Sequence, residues 1–424
     1  MRAIALVSAF ELPLVLLVAP ALLFPTWQRL ALALLVPVTW ACHWKRSGAL
    51  IPAQPMNLPI LALLGMAAIS LAVTFDPALS LPKVSGLLLG VLVYVAATRL
   101  ITTDGRLQGA TAVYLCAGVA LAMLGMLGAN WAAKFPVFDA VTERLPRVIR
   151  GVPGAEDGFN ANAIGGSLVL FIPLQASLLV ERVRARGPNA GGRAWEWWLH
   201  AFALALTAGT LVLTQSRGAW MALGVAGAIV LVVQTRRPAV VGSVLILGVV
   251  SLSMWLGVQR VIDAAISSSG VGIAQNLSGR IEMWSRALTA IGDFPMTGLG
   301  MNTFRRLLPT LYPMFTVAPS ADAAHAHNHF LQAALDLGIP GVIAYAAMWI
   351  LLFVSLQRVY RHASRPAHRT LAVGIGGGLL AHFFFGMTDA IPLGAKVGVL
   401  FWLTLALAAG LDRVAMRTDD CPAT

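Results

Sequence analysis

Long apolar segments alternate with short polar loops along most of the chain. A membrane-spanning helix needs about 20 mostly apolar residues, and a scan at that length predicts about twelve spans. The predicted spans cover residues 4–24, 29–44, 57–75, 84–102, 108–128, 161–181, 198–214, 218–235, 238–258, 331–356, 370–387 and 393–412. The pattern therefore predicts an all-α polytopic membrane protein.

The composition agrees with this prediction. Hydrophobic residues make up 58% of the chain and charged residues only 11%, whereas a soluble domain carries about 25% charged residues. The chain contains no dinucleotide-binding fingerprint and no P-loop, so the sequence indicates no ATP hydrolysis, and we expect no cofactor. Its three cysteines are scattered, without the spacing of a disulfide framework or a zinc site.

The formal net charge of +12 is first an orientation signal in a membrane protein. With the N-terminus inside, the short inner loops are dense in arginine, whereas the short outer turns hold one basic residue or none. This distribution predicts that both termini are cytoplasmic. Contact with anionic membrane lipids is the other ordinary explanation of a basic balance, and no nucleic-acid partner is expected.

Two predicted outer segments, 129–160 and 259–330, are long and polar. Long loops escape the charge rule, so their arginines need another explanation. We predict four regions: spans one to nine in 1–258, a largely helical outer insert in 259–330, spans ten to twelve in 331–412, and a cytoplasmic tail in 413–424.

The insert has the pattern of a folded unit rather than a linker. An amphipathic helix is predicted to open at 278–284, with Ile281, Trp284 and Leu288 along one face. Residues 294–300 predict a turn, and 302–311 predict a second short helix.

A cluster of histidines ends the insert. His325, His327 and His329 fall within five residues, just before an apolar run resumes. A helix that starts near Asn328 would place His327 at the outer membrane boundary, where it could accept a proton from a substrate hydroxyl. The alternatives are a solvated or capping histidine and a metal ligand. The outer segments contain no D-x-D pair and no H-E-x-x-H motif, so we predict His327 as a base, with His325 and Asn328 as substrate contacts and no metal.

Two arginines are candidates for binding an anionic substrate. Arg217 lies in a tight outer turn between two apolar spans, where a charge is usually functional or else extends to the interface. Arg280 lies near the start of the predicted amphipathic helix, where backbone N–H groups favour anions. Guanidinium groups form paired hydrogen bonds with phosphate. For Arg280 a solvated surface arginine is an equal alternative, and for Arg286, a weaker candidate, it is the better explanation.

The other long outer segment carries Arg144, Arg147 and Arg150 at a spacing of three, which predicts one helical face. This face is either solvated or a docking surface for an anionic head group or a phosphate-bearing acceptor. Asn160 and Asn162 follow and can cap the next span.

Two of these motifs resemble the O-antigen ligase / O-antigen polymerase superfamily of bacterial membrane glycosyltransferases. The ligase pattern of His-Asn, nine residues, Gly and a further small residue is similar to His327, Asn328, Gly338 and Gly341. A second pattern, Arg-x-x-x-Leu after an outer turn, begins here at Arg217 but has Met in place of Leu. Met preserves the size and hydrophobicity of that position.

Two further elements also resemble the family. An Arg-x-x-x-Trp element begins at Arg280, and a Pro-x-x-Gly-x-Gly element begins at Pro295. The Asn-x-Asn pair of Asn160 and Asn162 looks like the family pattern, which often has Pro between the two residues. The likeness covers about residues 155–345.

The resemblance implies a GT-C glycosyltransferase that transfers a glycan from undecaprenyl pyrophosphate to a sugar hydroxyl of lipid A–core. The reaction would take place at the periplasmic face of the bacterial inner membrane, with inversion and without metal or ATP. By the same resemblance, Arg217 and Arg280 would bind the pyrophosphate, and His327 would activate the acceptor hydroxyl or stabilise the transition state. Arg147 and Arg150 are added as substrate contacts from their positions alone.

Three other functions remain open at this stage. Within the superfamily, a polymerase extends one lipid-linked glycan with another, and a protein O-oligosaccharyltransferase glycosylates Ser or Thr. Protein-targeted members tend to have an extra C-terminal region, so a chain that ends shortly after its last span favours the ligase. The third function, a lipid-glycan transporter, lies outside the superfamily. It would need ionisable residues inside the membrane, for which Glu11, His382 and Asp389 are the candidates.

Overall fold

A computed structural model describes most of the chain. The described residues are 11–131, 136–153, 155–184, 194–235, 237–239, 242–243, 272–315 and 324–419. Nearly all of the predicted span 238–258 lies outside them. Residues 259–271 and 316–323 of the predicted insert, and 420–424 of the predicted tail, also lie outside.

The described part is built from helices and one short strand pair. The helices are α1 (Glu11–Leu23), α2 (Trp27–Leu30), α3 (Leu35–Ser47), α4 (Asn57–Val73), α5 (Pro77–Leu100), α6 (Asp104–Gly128), α7 (Pro136–Thr142), α8 (Ala161–Leu168), α9 (Ile172–Arg184), α10 (Ala194–Leu213), α11 (Arg217–Gln234), α12 (Gly272–Asp293), α13 (Phe304–Leu311), α14 (His329–His362), α15 (Pro366–Thr388) and α16 (Val399–Asp419). 3₁₀ turns at Ala31–Leu34 and Lys396–Gly398 precede α3 and α16. Strands β1 (Ala129–Asn130) and β2 (Phe159–Asn160) pair in parallel.

Within the described residues, seven helical segments are long and apolar enough to cross a membrane. They are α5, α6, α8 with α9, α11, α14, α15, and α16 with its preceding 3₁₀ turn. Three shorter apolar helices lie at Glu11–Leu23, Asn57–Val73 and Trp197–Leu213. The predicted all-α, multi-pass class is therefore confirmed, while the number of twelve spans and the extent of the insert stay predictions.

Local sequence signals fix where the helices of the bundle begin. Asp76 precedes α5, and its carboxylate accepts hydrogen bonds from the first free backbone N–H groups of that helix. Thr103 caps α6 in the same way. Pro77 and Pro366 occupy the first turns of α5 and α15, where proline fits because its missing N–H is not needed there.

The interior of the bundle satisfies its own polar groups. α8 and α9 form one apolar run that is interrupted at 169–171. There the hydroxyl of Tyr114 donates to the carbonyl of Leu170 at 3.1 Å and lies 2.9 Å from Oγ1 of Thr404. A carbonyl freed by a helix break needs such a partner, because an unsatisfied polar group in an apolar interior costs several kcal/mol.

The two ends of the bundle differ in character. At one end, the arginine end, ion pairs link neighbouring helices: Arg365 and His368 of α15 reach Asp104 of α6, and Arg358 of α14 pairs with Asp412 of α16. The opposite end, the histidine end, contains residues 324–328 before α14 and the last residues of α15. The strand pair also lies at this end, since β1 follows α6 and β2 precedes α8.

The predicted helical face of Arg144, Arg147 and Arg150 is wrong. Helix α7 ends at Thr142, and residues 143–150 form a turn, a bend and a segment without regular secondary structure. Pro146 explains the difference, since proline removes a backbone donor and disfavours helical geometry at the preceding residue.

The predicted helix of the insert is present, but a different face is buried. α12 begins at Gly272, and its buried side chains include Met283, Ala287 and Ala290, which pack with α13. Ile281 is 56% exposed and Leu288 59% exposed. Packing against α13 determines which face of α12 is buried. The spacing of apolar residues within α12 does not by itself predict that face. The predicted turn at 294–300 and the short helix near 302–311 are confirmed.

Candidate active site

Asn328 sets the geometry of the histidine segment. Its Oδ1 accepts hydrogen bonds from the backbone N–H groups of Phe330 at 3.0 Å and Leu331 at 3.1 Å, so it caps α14. Its Nδ2 donates to the carbonyl of Met387 near the end of α15 at 3.4 Å. The helix start predicted near Asn328 is confirmed. His327 immediately precedes this cap and has a positive φ of 51°.

His327 forms a hydrogen-bonded pair with Asp389. Nδ1 of His327 lies 3.0 Å from Oδ1 of Asp389, the residue that follows the last turn of α15. The side chain of Asp389 is 10% exposed, whereas that of His327 is 29% exposed. An ionised carboxylate only accepts hydrogen bonds, so Nδ1 of His327 carries a proton, and in the neutral imidazole Nε2 has the lone pair.

His325 packs against the same pair. Its ring centroid is 4.5 Å from that of His327, and its Nε2 lies 3.6 Å from Oδ1 of Asp389. Burial lowers the pKa of His325 to about 4, although the charge of Asp389 acts in the opposite direction. Burial alone would raise the pKa of Asp389, but the hydrogen bond from His327, with electrostatic contributions from both imidazoles, lowers it overall. At neutral pH, His325 is therefore neutral and Asp389 ionised.

The cluster also has the spacing of a metal site. Ligand atoms of His325, His327 and Asp389 lie within 4.8 Å of one another, and His and Asp are common metal ligands. However, the backbone N–H of His327 donates to Nδ1 of His325 at 3.3 Å. This bond places the proton of neutral His325 on Nε2, which faces the carboxylate, so the arrangement favours hydrogen bonding over metal ligation. The absence of a metal stays a prediction.

Two contacts hold the histidine segment from opposite sides. Nε1 of Trp284 on α12 donates to the carbonyl of Ala326 at 2.8 Å, and the N–H of Ala326 donates to Oε1 of Gln332 at 2.8 Å. Nε2 of Gln332 in turn donates to Oδ1 of Asp336 at 2.9 Å, which also accepts from the N–H of Asn302 at 3.1 Å. Sequence reasoning missed Gln332 and Asp336, although two polar residues four apart in an apolar run were a usable signal.

Arg280 reaches the same point from α12. Its Nη1 donates to the carbonyl of Thr388 at 2.5 Å, directly before Asp389. Its charge also acts on His325. The structure therefore brings Arg280 close to the His327–Asp389 pair, although these residues are far apart in sequence.

Arg217 lies at the start of α11, beside the end of α15. Gln215 has a positive φ of 50°, which turns the chain sharply before the helix. Gly218 packs so closely that an added Cβ would lie 3.0 Å from Oγ1 of Thr388. Arg217 and Arg280 thus belong to two elements that meet at Thr388.

Asn160 and Asn162 lie at the start of α8, which packs against the turn before Arg217. Oδ1 of Asn160 accepts from the N–H of Ala163 at 3.1 Å, so its predicted capping role is confirmed, whereas Asn162 lies inside the first turn of α8. Gly165 of α8 packs against the turn before Arg217, since a Cβ there would lie 2.9 Å from Oγ1 of Thr214.

Three predicted contacts have different surroundings. Arg147 and Arg150 are exposed on the irregular segment between α7 and β2. Nη2 of Arg286 lies 3.7 Å from Oε1 of Glu282, and its guanidinium stacks over the ring of Phe315 at 5.6 Å. The contacts of Arg286 are thus within the insert, away from Thr388.

The structure is that of a helical membrane protein with a histidine–carboxylate pair and two arginines at one end of its bundle. Proteins of this class can perform acid–base chemistry on anionic substrates at a membrane boundary. A family model described as O-antigen ligase matches residues 202–346, which run from α10 into α14 and contain Arg217, Arg280 and His327. This match supports the O-antigen ligase superfamily, the family that the motifs predicted. The family supports an activity of the O-antigen ligase or polymerase type. No curated protein matches the chain in sequence.

Proposed function

We propose that this protein is an O-antigen ligase of the bacterial inner membrane, with its active site at the periplasmic face. It transfers a glycan from undecaprenyl pyrophosphate to a sugar hydroxyl of lipid A–core. The observation that carries this proposal is the His327–Asp389 pair at 3.0 Å, directly beside the carbonyl that binds Arg280.

In this reaction His327 acts as the base. Its Nε2 takes the proton of the acceptor hydroxyl while the acceptor oxygen bonds to the anomeric carbon. The bond from that carbon to the pyrophosphate oxygen breaks on the opposite side, so the configuration inverts. Asp389 holds Nδ1–H and stabilises the imidazolium that forms, as a carboxylate does in a Ser-His-Asp triad.

The arginines act on the leaving group. Undecaprenyl pyrophosphate departs with the bonding electrons, and Arg217 and Arg280 neutralise its developing charge. Arg280 uses one N–H for the carbonyl of Thr388, which orients the guanidinium and leaves four N–H donors for phosphate oxygens. Cationic side chains of this kind replace a divalent metal, so the reaction needs neither metal nor ATP.

The remaining predicted residues have supporting roles in this proposal. His325 and Asn328 flank His327, the base. Asn160 and Asn162 lie next to this site and contact the donor. Arg147 and Arg150 are first contacts for an anionic head group from the membrane surface. Arg286 pairs with Glu282 within α12 and stacks over Phe315, and so supports the helix that carries Arg280 rather than the substrate itself.

The buried ionisable groups favour an enzyme over a transporter. Glu11 accepts from Arg99 at 2.5 Å and from Trp40 at 2.7 Å, and Nδ1 of His382 bonds to the carbonyl of Gly166 at 2.9 Å. These groups have fixed structural partners.

The acceptor decides between the members of the superfamily. The test is to mix purified protein with an undecaprenyl-pyrophosphate glycan and either lipid A–core, a second copy of the donor, or a Ser/Thr-containing peptide. We expect a glycan shift of lipid A–core on a gel. Longer glycan on the lipid carrier would make the protein a polymerase, and modified peptide would make it a protein O-oligosaccharyltransferase.

A further inference from the structure

A cavity lies between helices at the arginine end of the bundle, away from the histidine segment. Its volume is about 800 Å³, within the range of about 300–1,000 Å³ that encloses most of a small ligand. One face each of α9, α11 and α15 lines it, and Tyr360 of α14 completes the wall. The proposed transfer uses none of the residues that line this cavity.

The wall of the cavity is apolar over most of its length. Most of the lining residues are aliphatic or glycine, and among them Val180 is 46% exposed and Leu231 59% exposed. Gly227 of α11 also lines the cavity, and no atom lies within 4 Å of a Cβ built on it. An open apolar surface between helices gains free energy when a hydrocarbon chain covers it.

The polar lining residues gather at one end of the cavity. α9 and α11 end at Arg184 and Gln234, whereas Arg369 lies in the first turn of α15, so these three residues share the arginine end. Nε of Arg369 donates to the carbonyl of Ala363 at 2.7 Å. This bond orients the guanidinium and leaves the four N–H donors of its terminal nitrogens for an anion.

The charge of this polar end is positive. Arg184 and Arg369 stand against Glu181, the one acid among the described lining residues. Arg358 and Arg365 at the same end of the bundle are different, since each pairs with a carboxylate and neither lines the cavity. An excess of one cation fits the single charge of a phosphodiester, and basic pockets between membrane helices bind anionic head groups.

We propose that this cavity binds an anionic phospholipid of the surrounding leaflet. An acyl chain lies between α9, α11 and α15, and the phosphate binds Arg184 and Arg369. A zwitterionic lipid brings its own cation and does not compensate the charge of the site. The lipid lies at the end of the bundle opposite His327, so this site goes beyond the proposed transfer and does not depend on it.

The head-group part of the site is tested by native mass spectrometry of the purified full-length protein. The probes are phosphatidylglycerol and phosphatidylethanolamine with identical acyl chains. We expect the wild type to retain phosphatidylglycerol several-fold better. Arg184→Gln and Arg369→Gln should each weaken its binding by about fivefold, the usual contribution of one basic residue beside an anionic lipid. Arg417→Gln, exposed on α16 outside the cavity, is the matched control and should bind like the wild type.

The acyl-chain part is tested by filling the cavity. Gly227→Phe places a ring in the open space, and the measurement is the rise in Tm that added phosphatidylglycerol causes. We expect this rise to be lost. Gly224→Phe, one turn earlier on α11, is the control, since this glycine is also exposed but lies outside the cavity. Each variant is compared with itself without lipid, so a change in its own stability does not affect the result.

Three results would overturn the site. The first is equal binding of the two phospholipids by the wild type. The second is wild-type affinity for phosphatidylglycerol in the double variant Arg184→Gln/Arg369→Gln. The third is a lipid-dependent rise in Tm that survives in Gly227→Phe, which would place the lipid elsewhere on the protein.

Discussion

The imidazole of His327 has two nitrogens, and the carboxylate of Asp389 determines which of them carries a proton. The contact of 3.0 Å fixes Nδ1 as the donor, so Nε2 is the nitrogen that can accept a proton from an acceptor hydroxyl. His325 adds a neutral neighbour rather than a second charge, because burial lowers its pKa. The chemistry at the residue scale thus depends on one acid that lies 62 positions after the histidine.

Replacing Asp389 tests this arrangement. In Asp389→Asn the amide no longer stabilises the imidazolium or enforces the tautomer, so we expect the rate of glycan transfer to fall by about 10²- to 10⁴-fold. The affinity for undecaprenyl pyrophosphate should remain close to that of the wild type. Asp76→Asn is the matched control, since asparagine is also a good helix cap. Transfer by Asp389→Asn at the wild-type rate would contradict the role of the acid.

The lowered pKa values predict that the protein loses stability in acid. The unfolded chain binds a proton at His325 below about pH 6.5, whereas the folded chain resists protonation down to about pH 4. Stability is therefore full above about pH 6.5 and falls progressively below it, and the depressed pKa of Asp389 extends the loss to lower pH. Thermal unfolding between about pH 7 and pH 4.5 should show a fall in Tm. His325→Asn should reduce that fall, and an identical fall in this variant would count against the assignment.

At the scale of elements, two motifs that are distant in sequence form one unit. α14 is kinked at Gly338, which has a φ of 70°. The turn after α12 packs into this kink: the N–H of Ile339 donates to the carbonyl of Pro295 at 2.7 Å, and the N–H of Leu299 donates to that of Leu335 at 2.7 Å. The kink therefore fixes the insert, which carries Arg280, relative to the helix that begins after His327.

Gly338→Ala should break this unit. Alanine is disfavoured at positive φ by roughly 1–2 kcal/mol, and its Cβ would lie 2.6 Å from the carbonyl carbon of Met296. We expect a lower Tm together with slower transfer. Gly224→Ala on α11, where no atom lies within 4 Å of an added Cβ, should leave both unchanged. An equal Tm in the two variants would show that the close packing is unimportant.

Gln332 links the histidine segment to α14, and its loss should affect the rate more than binding. Gln332→Leu leaves the N–H of Ala326 unpaired and removes one donor from Asp336. A buried unpaired group costs about 1–3 kcal/mol, and we expect kcat to fall by about tenfold while the KM for the donor changes little. Gln357→Leu, exposed near the arginine end of the same helix, is the control. A change in KM alone would assign Gln332 to substrate binding instead.

At the scale of the whole molecule, hydropathy was sufficient to predict a multi-pass helical protein. Local spacing predicted the start of α14 at Asn328 and the cap of α8 at Asn160. Local spacing did not predict the contacts between elements that are distant in sequence. Asp389 was noted only as an ionisable residue near the end of a span, because its pairing with His327 depends on how α15 packs beside α14.

The wrong predictions have the same origin. The spacing of Arg147 and Arg150 indicated a helix, but Pro146 disfavours one, and the N–H groups of Val148 and Ile149 donate to the carbonyl of Leu127 instead. The division into spans, insert and tail stays a prediction at this scale.

The most direct test of the central claim is the initial rate of glycan transfer to lipid A–core in the presence of EDTA, for the wild type and His327→Ala. His362→Ala, exposed at the arginine end, serves as the matched control. The account predicts full activity of the wild type and the control, and a loss of about a hundredfold or more in His327→Ala. Activity that survives in His327→Ala, or wild-type activity that EDTA abolishes and added Zn²⁺ restores, would contradict it.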